Sequence, residues 1–138
     1  MNGLAAEQDV RKIPTASIIS QMLLAFKHAS DLILSPYQAR HVRLDGQLVR
    51  VKIPGVEKFS PEDTARIAAD IIGPNPLAQR RLKEEGSCDV SYSIPTVARL
   101  RVNIFTQRGT YAIQPHIPVI TRVVIRTWKN SYTARSPR

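Results

Sequence analysis

The sequence predicts an α+β domain, a mainly antiparallel sheet with helices on one face. Two long runs, Ser87–Ile94 and Ala98–Phe105, alternate apolar and polar residues with period two, as half-buried strands do. Tight turns join neighbouring strands, most clearly at Asp45-Gly46. Elsewhere apolar residues recur at helical spacing, so each helix offers one stripe to a sheet. The order is helix, three strands, two helices, then three or four strands.

The 138 residues suit one domain with one core. No apolar run approaches the roughly 20 residues that span a bilayer, and Met1–Lys12 lacks the apolar centre of a signal peptide. A cytoplasmic location is therefore expected. Cys88 is the one cysteine, and its strand position marks it as a small inward hydrophobe. The formal charge of +9 permits an anionic partner. Residues 119–138 contribute Arg122, Arg126, Lys129, Arg135 and Arg138 with no acid, so much of that excess sits outside the patterned region. The chain divides into an N-terminal arm, residues 1–14, an α+β domain, residues 15–118, and a basic tail, residues 119–138.

Pro14-Thr15 opens the first helix, with Ile18, Ile19, Met22, Leu23 and Phe26 along one stripe. Thr15 or Ser17 is the expected cap, and Lys27 and His28 fall in the expected last turn, where cations suit the helix dipole. A short strand follows at 30–35 and Pro36 ends it. Strands at 40–44 and 48–53 flank Asp45-Gly46, with Val49, Val51 and Ile53 inward and Arg50 and Lys52 outward. Ser60-Pro61-Glu62-Asp63 starts the second helix: a cap, a proline at the first position and acids in the first turn. Ile67, Ala68, Ile71 and Ile72 form its stripe, and Gly73-Pro74 stops it. Asn75-Pro76 starts a third helix, with Leu77, Ala78 and Leu82 inward and Arg80, Arg81 and Lys83 on a solvated face, ending at Gly86. After the two long strands, Gln107-Arg108-Gly109 turns the chain into a strand at 110–114, which Pro115 and Pro118 should break. Residues 119–125 (VITRVVI) read as an edge strand or exposed apolar segment, open to self-association.

Several chemistries are missing. There is no Gly-x-x-x-x-Gly-Lys-Ser/Thr loop to cradle a triphosphate. His28, His41 and His116 lie apart, with no carboxylate or cysteine at metal-ligand spacing, so no metal site is expected. Adjacent Glu84 and Glu85 do not share a helix face. What stands out is the outward face of the second long strand, where Arg99 and Arg101 stand about 7 Å apart, followed by Asn103 and, at the turn, Arg108. Guanidinium forks bind phosphate or carboxylate bidentately, so one function of this face is an anion clamp. The other is a solvated strand face neutralised by Asp89 or Ser91 of the neighbouring strand.

Four segments resemble a known family. Ala29–Ser35 (ASDLILS) resembles its Ala-Ser-Asp-Leu-His-Leu-Ser, and Val42–Leu48 (VRLDGQL) its Arg-x-Asp-Gly hairpin. Val97–Phe105 (VARLRVNIF) resembles its Val-Ala-Arg-Phe-Arg-Val-Asn-x-Phe strand, and Gln107-Arg108-Gly109 the turn after it. Order and spacing agree over roughly residues 15 to 118. The family is the PilT-like type IV pilus retraction ATPases, within the larger set of hexameric secretion ATPases that includes the type II secretion motor GspE. The chain departs from it at Ile33, at Ser35-Pro36-Tyr37-Gln38 and at Pro115. The resemblance implies a PAS-like N-terminal domain that sits on a RecA-like motor domain, at the inner-membrane base of a pilus or secretion machine, in twitching motility or secretion. ATP and Mg²⁺ belong to that motor; this chain alone should need no cofactor and hydrolyse nothing. It further implies that Arg101, with Arg99 and Arg108 as weaker candidates, reaches in trans towards nucleotide phosphate. A different class, a small basic module on nucleic acid or anionic membrane, would bind with steep salt dependence. Nucleic acid is the less expected partner, because the arginine strand carries few aromatics for base stacking.

Overall fold

A computed structural model of the chain describes residues 13–51 and 58–118. They form helices α1 (Thr15–Ala25), α2 (Pro61–Ile72) and α3 (Pro76–Glu85), and strands β1 (Asp31–Ile33), β2 (His41–Leu44), β3 (Gln47–Arg50), β4 (Ser87–Ile94), β5 (Ala98–Gln107) and β6 (Thr110–His116). The strands make one six-stranded sheet in the order β3-β2-β1-β6-β5-β4, and every strand pair is antiparallel. This is the α+β architecture expected from the patterning. The expected features at Lys52, Ile53 and Val119–Ile125 lie outside the described residues.

One face of the sheet is apolar and packs under the helices. Leu32, Val42, Leu100, Val102, Ile104 and Ile113 point into the core, where they meet Ile18, Ile19, Met22 and Leu23 of α1 and Ile67, Ala68, Ile71 and Ile72 of α2. Burying each such aliphatic side chain contributes about 1.5–3 kcal/mol. Cys88 is buried with them. Burial pushes its thiol up, and the Asp89 charge adds to that.

Local chemistry sets most of the element ends. At α2 the Ser60 side chain accepts from Asp63 N–H at 3.1 Å while Asp63 accepts from Ser60 N–H at 2.8 Å, a reciprocal capping box. The Asn75 side chain caps α3 through Ala78 N–H, and Gly86 closes that helix with φ 84°, a left-handed conformation that glycine adopts without steric cost. Asp45 and Gly46 both take positive φ, 50° and 81°, as a two-residue hairpin matched to strand twist requires.

Four expectations fail for identifiable reasons. Neither Thr15 nor Ser17 caps α1; its first residue follows Pro14, with no side-chain cap. The buried Thr15 hydroxyl instead donates to Asp70 Oδ2 at 2.6 Å, tying α1 to α2, so a tertiary partner displaces the local one. Lys27 and His28 lie beyond the helix, which stops at Ala25. Leu77 is half exposed, because Ala78 alone takes the buried position of the first turn of α3. Pro115 does not break β6, which runs on to His116 with Pro115 opposite Val102. Amides alternate sides along a strand. Ile113 and Ile117 donate towards β1, to Leu34 O and Ser30 O at 2.9 Å each. The Pro115 nitrogen therefore points the same way, and the proline costs one bond of the β1–β6 ladder and none of the β5–β6 ladder.

Candidate functional site

The open face of the sheet carries the polar residues. The strand register sets Ser91, Arg101, His116, Asp31, Arg43 and Leu48 side by side in one row across all six strands. Three of the four family-like segments meet in this row: Asp31 from the first, Arg43 from the second and Arg101 from the third. Beside it run Asp89, Asn103 and Gln114. A shallow cavity of about 440 Å³ opens over the two rows, lined by Asp31, Asp89, Arg101, Asn103, Gln114 and His116.

Asp31 is the electrostatic hub. Its Oδ1 lies 3.1 Å from His116 Nδ1, its Oδ2 3.5 Å from Arg43 Nε, and the Ser30 hydroxyl donates to Oδ2 at 2.9 Å. Burial alone would raise its carboxyl. Hydrogen bonds from His116 and Ser30, the His116 charge and a hydrogen bond from Gln114 outweigh that and hold it below the usual carboxylate range. Asp89 sits opposite Asn103, whose side-chain amide donates to it at 3.2 Å.

Arg101 is different. It is exposed, and the residue directly across on β4 is Ser91. Among the described residues it makes no ion pair, since Asp31 is held by His116 and Arg43 and Asp89 by Asn103. Its guanidinium thus reaches the cavity with its donors available, fixed at Cα by ladders on both sides.

The three arginines do not converge. Arg99 and Arg101 share the outward face of β5 and both are exposed, as expected, with Arg99 opposite Ser93. Arg99 does not line the cavity. Arg108 occupies the β5–β6 turn with φ 53°, seven residues past Arg101 and so roughly 23 Å along the strand. It cannot share a ligand with Arg101. Gln114 and His116 reach the cavity on β6, opposite Asn103 and Arg101 of β5, and Asp31 arrives through the β1–β6 pairing, whose partners Asp31 and His116 lie 85 positions apart. No group of three or more metal-ligating side chains occurs among the described residues, nor does any helix there that is long and apolar enough to cross a membrane.

The fold is that of the N-terminal domain of the pilus retraction motor PilT, and the chain belongs to the type IV pilus retraction ATPase family. The chain is similar to the crystal structure of the pilus retraction motor PilT with bound ADP, with a TM-score of 0.64 and 28% identity over 78% of this chain and 30% of that one. The ATPase DotB of Legionella pneumophila shares the fold, with a TM-score of 0.58 and 21% identity over 80% of this chain and 31% of that one. DotB of Yersinia pseudotuberculosis does so at 0.56, with 20% identity over 77% and 32%. In sequence the chain is homologous to the type IV pilus retraction ATPase PilT of Pseudomonas aeruginosa PAO1, 36% identical over 100 residues. That match takes in 70% of this chain and 28% of the relative, so the chain spans under a third of the protein it matches. No protein-family model matches.

Proposed function

We propose that this chain acts as the N-terminal domain of a PilT-like hexameric pilus or secretion ATPase, on the cytoplasmic side of the machine. It packs against a RecA-like motor domain and offers Arg101 to the phosphates of the nucleotide that domain holds with Mg²⁺. The chain hydrolyses nothing by itself, since its sequence has no phosphate-cradling loop. The motor's nucleotide supplies the phosphoryl chemistry; this domain supplies a positioned charge. A guanidinium aimed where charge develops on a transferring phosphoryl group stabilises the transition state more than the ground state.

One observation carries this: in a row where every other charge is held internally, Arg101 alone is exposed without a described counter-ion. The ladders on both sides fix the Arg101 backbone, and its planar fork loses less entropy per hydrogen bond formed than a lysine would. The contacts with His116 and Arg43 keep the one carboxylate of Arg101's row, Asp31, occupied. Arg99 stands next along the strand and assists at most indirectly.

The test adds the chain in trans to an isolated PilT-type motor domain and follows phosphate release. The wild-type chain is expected to raise kcat, Arg101→Ala to abolish the increase, and Arg108→Ala to leave it intact. Equal stimulation by wild type and Arg101→Ala removes Arg101 from the mechanism. Absence of binding between chain and motor removes the docking role as well.

A further inference from the structure

A second cavity, of about 600 Å³, lies where β2 and β3 meet the Pro36–Arg40 connection. Among its lining side chains are Tyr37, Gln38, His41, Arg50 and Lys58, and none of the described lining residues is acidic. His41 and Arg50 face each other across the β2–β3 pair, and Arg50 and Lys58 are exposed. Tyr37 is 70% exposed, an aromatic ring left in water. Its backbone takes φ 66°, a left-handed conformation that favours glycine. That conformation is anchored: Tyr37 N–H donates to Phe59 O at 2.8 Å, Pro36 bridges Phe59 and Ala39 bridges Lys58. The ring is therefore displayed by a fixed turn.

Arg40 lies between two lining residues, Ala39 and His41, and is fully buried. Its guanidinium stacks 5.5 Å from the centre of the Phe59 ring, and none of its nitrogens has an acceptor among the described residues. A charge in that setting is weakly screened, so its field adds to that of Arg50 and Lys58. An exposed aromatic and several cations around a cavity of small-molecule size suit a ligand that is flat at one end and anionic at the other. An acidic peptide would use the cations and leave the ring idle.

We propose that this corner binds a mononucleotide, with the base stacked on Tyr37 and the phosphate held by Arg50 and Lys58 beside His41. The site is separate from the Arg101 cavity, with which it shares no lining residue, and it does not depend on motor docking.

The test titrates the 138-residue chain with AMP, adenosine and inorganic phosphate, following backbone amide shifts by NMR. AMP is expected to move the amides of Tyr37, Gln38, Arg50 and Lys58, and to bind at least tenfold more tightly than either fragment. Tyr37→Ala should weaken AMP by roughly five- to a hundredfold, the range of one lost base–aromatic stack. Arg50→Ala with Lys58→Ala should reduce AMP to the affinity of adenosine, while Arg101→Ala leaves AMP binding unchanged. Thermal melts confirm that each variant folds. Shifts centred on Arg101 and His116, or loss of binding in Arg101→Ala, place the phosphate in the other cavity and overturn the assignment. So does equal affinity for AMP and phosphate with Tyr37→Ala silent, which marks a non-specific anion patch.

Discussion

Arg101 and Arg40 carry the same charge and meet opposite fates. Arg101 stands in water on the open side of the sheet, where a guanidinium without a partner costs almost nothing because solvent satisfies its donors. Arg40 is wholly buried against Phe59, and its donors find no acceptor among the described residues. Burial there disfavours the charged form and lowers its pKa. An unpaired charge is therefore a resource on the surface and a liability inside. One is available to a partner at no cost to the fold; the other draws on the stability the core provides.

Substitutions test that contrast, beginning with the core. Ile104 lies on the inward side of the strand that displays Arg101, and Ile104→Ala should cost about 2–5 kcal/mol, read from urea midpoints at constant slope. Arg40→Met should raise stability by about 1–4 kcal/mol, since replacing a buried charge by an apolar side chain of similar volume removes its desolvation penalty. A loss of stability instead would show that Arg40 has an acceptor beyond the described residues. Asp31→Asn should cost about 1 kcal/mol at neutral pH by weakening the His116 and Arg43 contacts. The sign with pH follows from the lowered Asp31 pKa. Its contribution is complete above the unfolded carboxyl value, about 3.9, and disappears as pH falls through the lower folded value. Wild-type stability should thus drop below about pH 4 more steeply than that of Asp31→Asn. Arg101→Ala should shift stability by no more than about 0.5 kcal/mol, and a larger change would mean that the residue is structural.

Much of this was legible in the chain because it is written locally. Period-two alternation gave β4 and β5 and put Arg99, Arg101 and Asn103 on one outward face. Turn and cap chemistry gave the Asp45-Gly46 hairpin and the Ser60 start of α2. The misses share one physical cause, a distant partner overriding a near one. Thr15 prefers Asp70 to its own helix end. Pro115 survives in a strand because the bond it lacks belongs to the neighbour with the shorter ladder. His116 does lie at the surface, with its side chain half exposed, but its partner Asp31 is supplied by the distant β1–β6 pairing. That pairing closes a long loop through all the intervening helices, and no local pattern encodes it.

The one sheet is built from two three-stranded meanders that meet at the β1–β6 pair, where Pro115 leaves the ladder one bond short. On one side β3, β2 and β1 hold the Tyr37 corner; on the other β6, β5 and β4 hold Arg101. Across the seam the stitches at Leu34, Ile113 and Ile117 flank the gap. The amide protons of those three residues are the natural reporters of the halves parting, and the Asp31–His116 contact fastens the same join from the solvent side. Among the described residues, the carboxylate of Asp31 is thus one of the few side-chain ties between the two meanders.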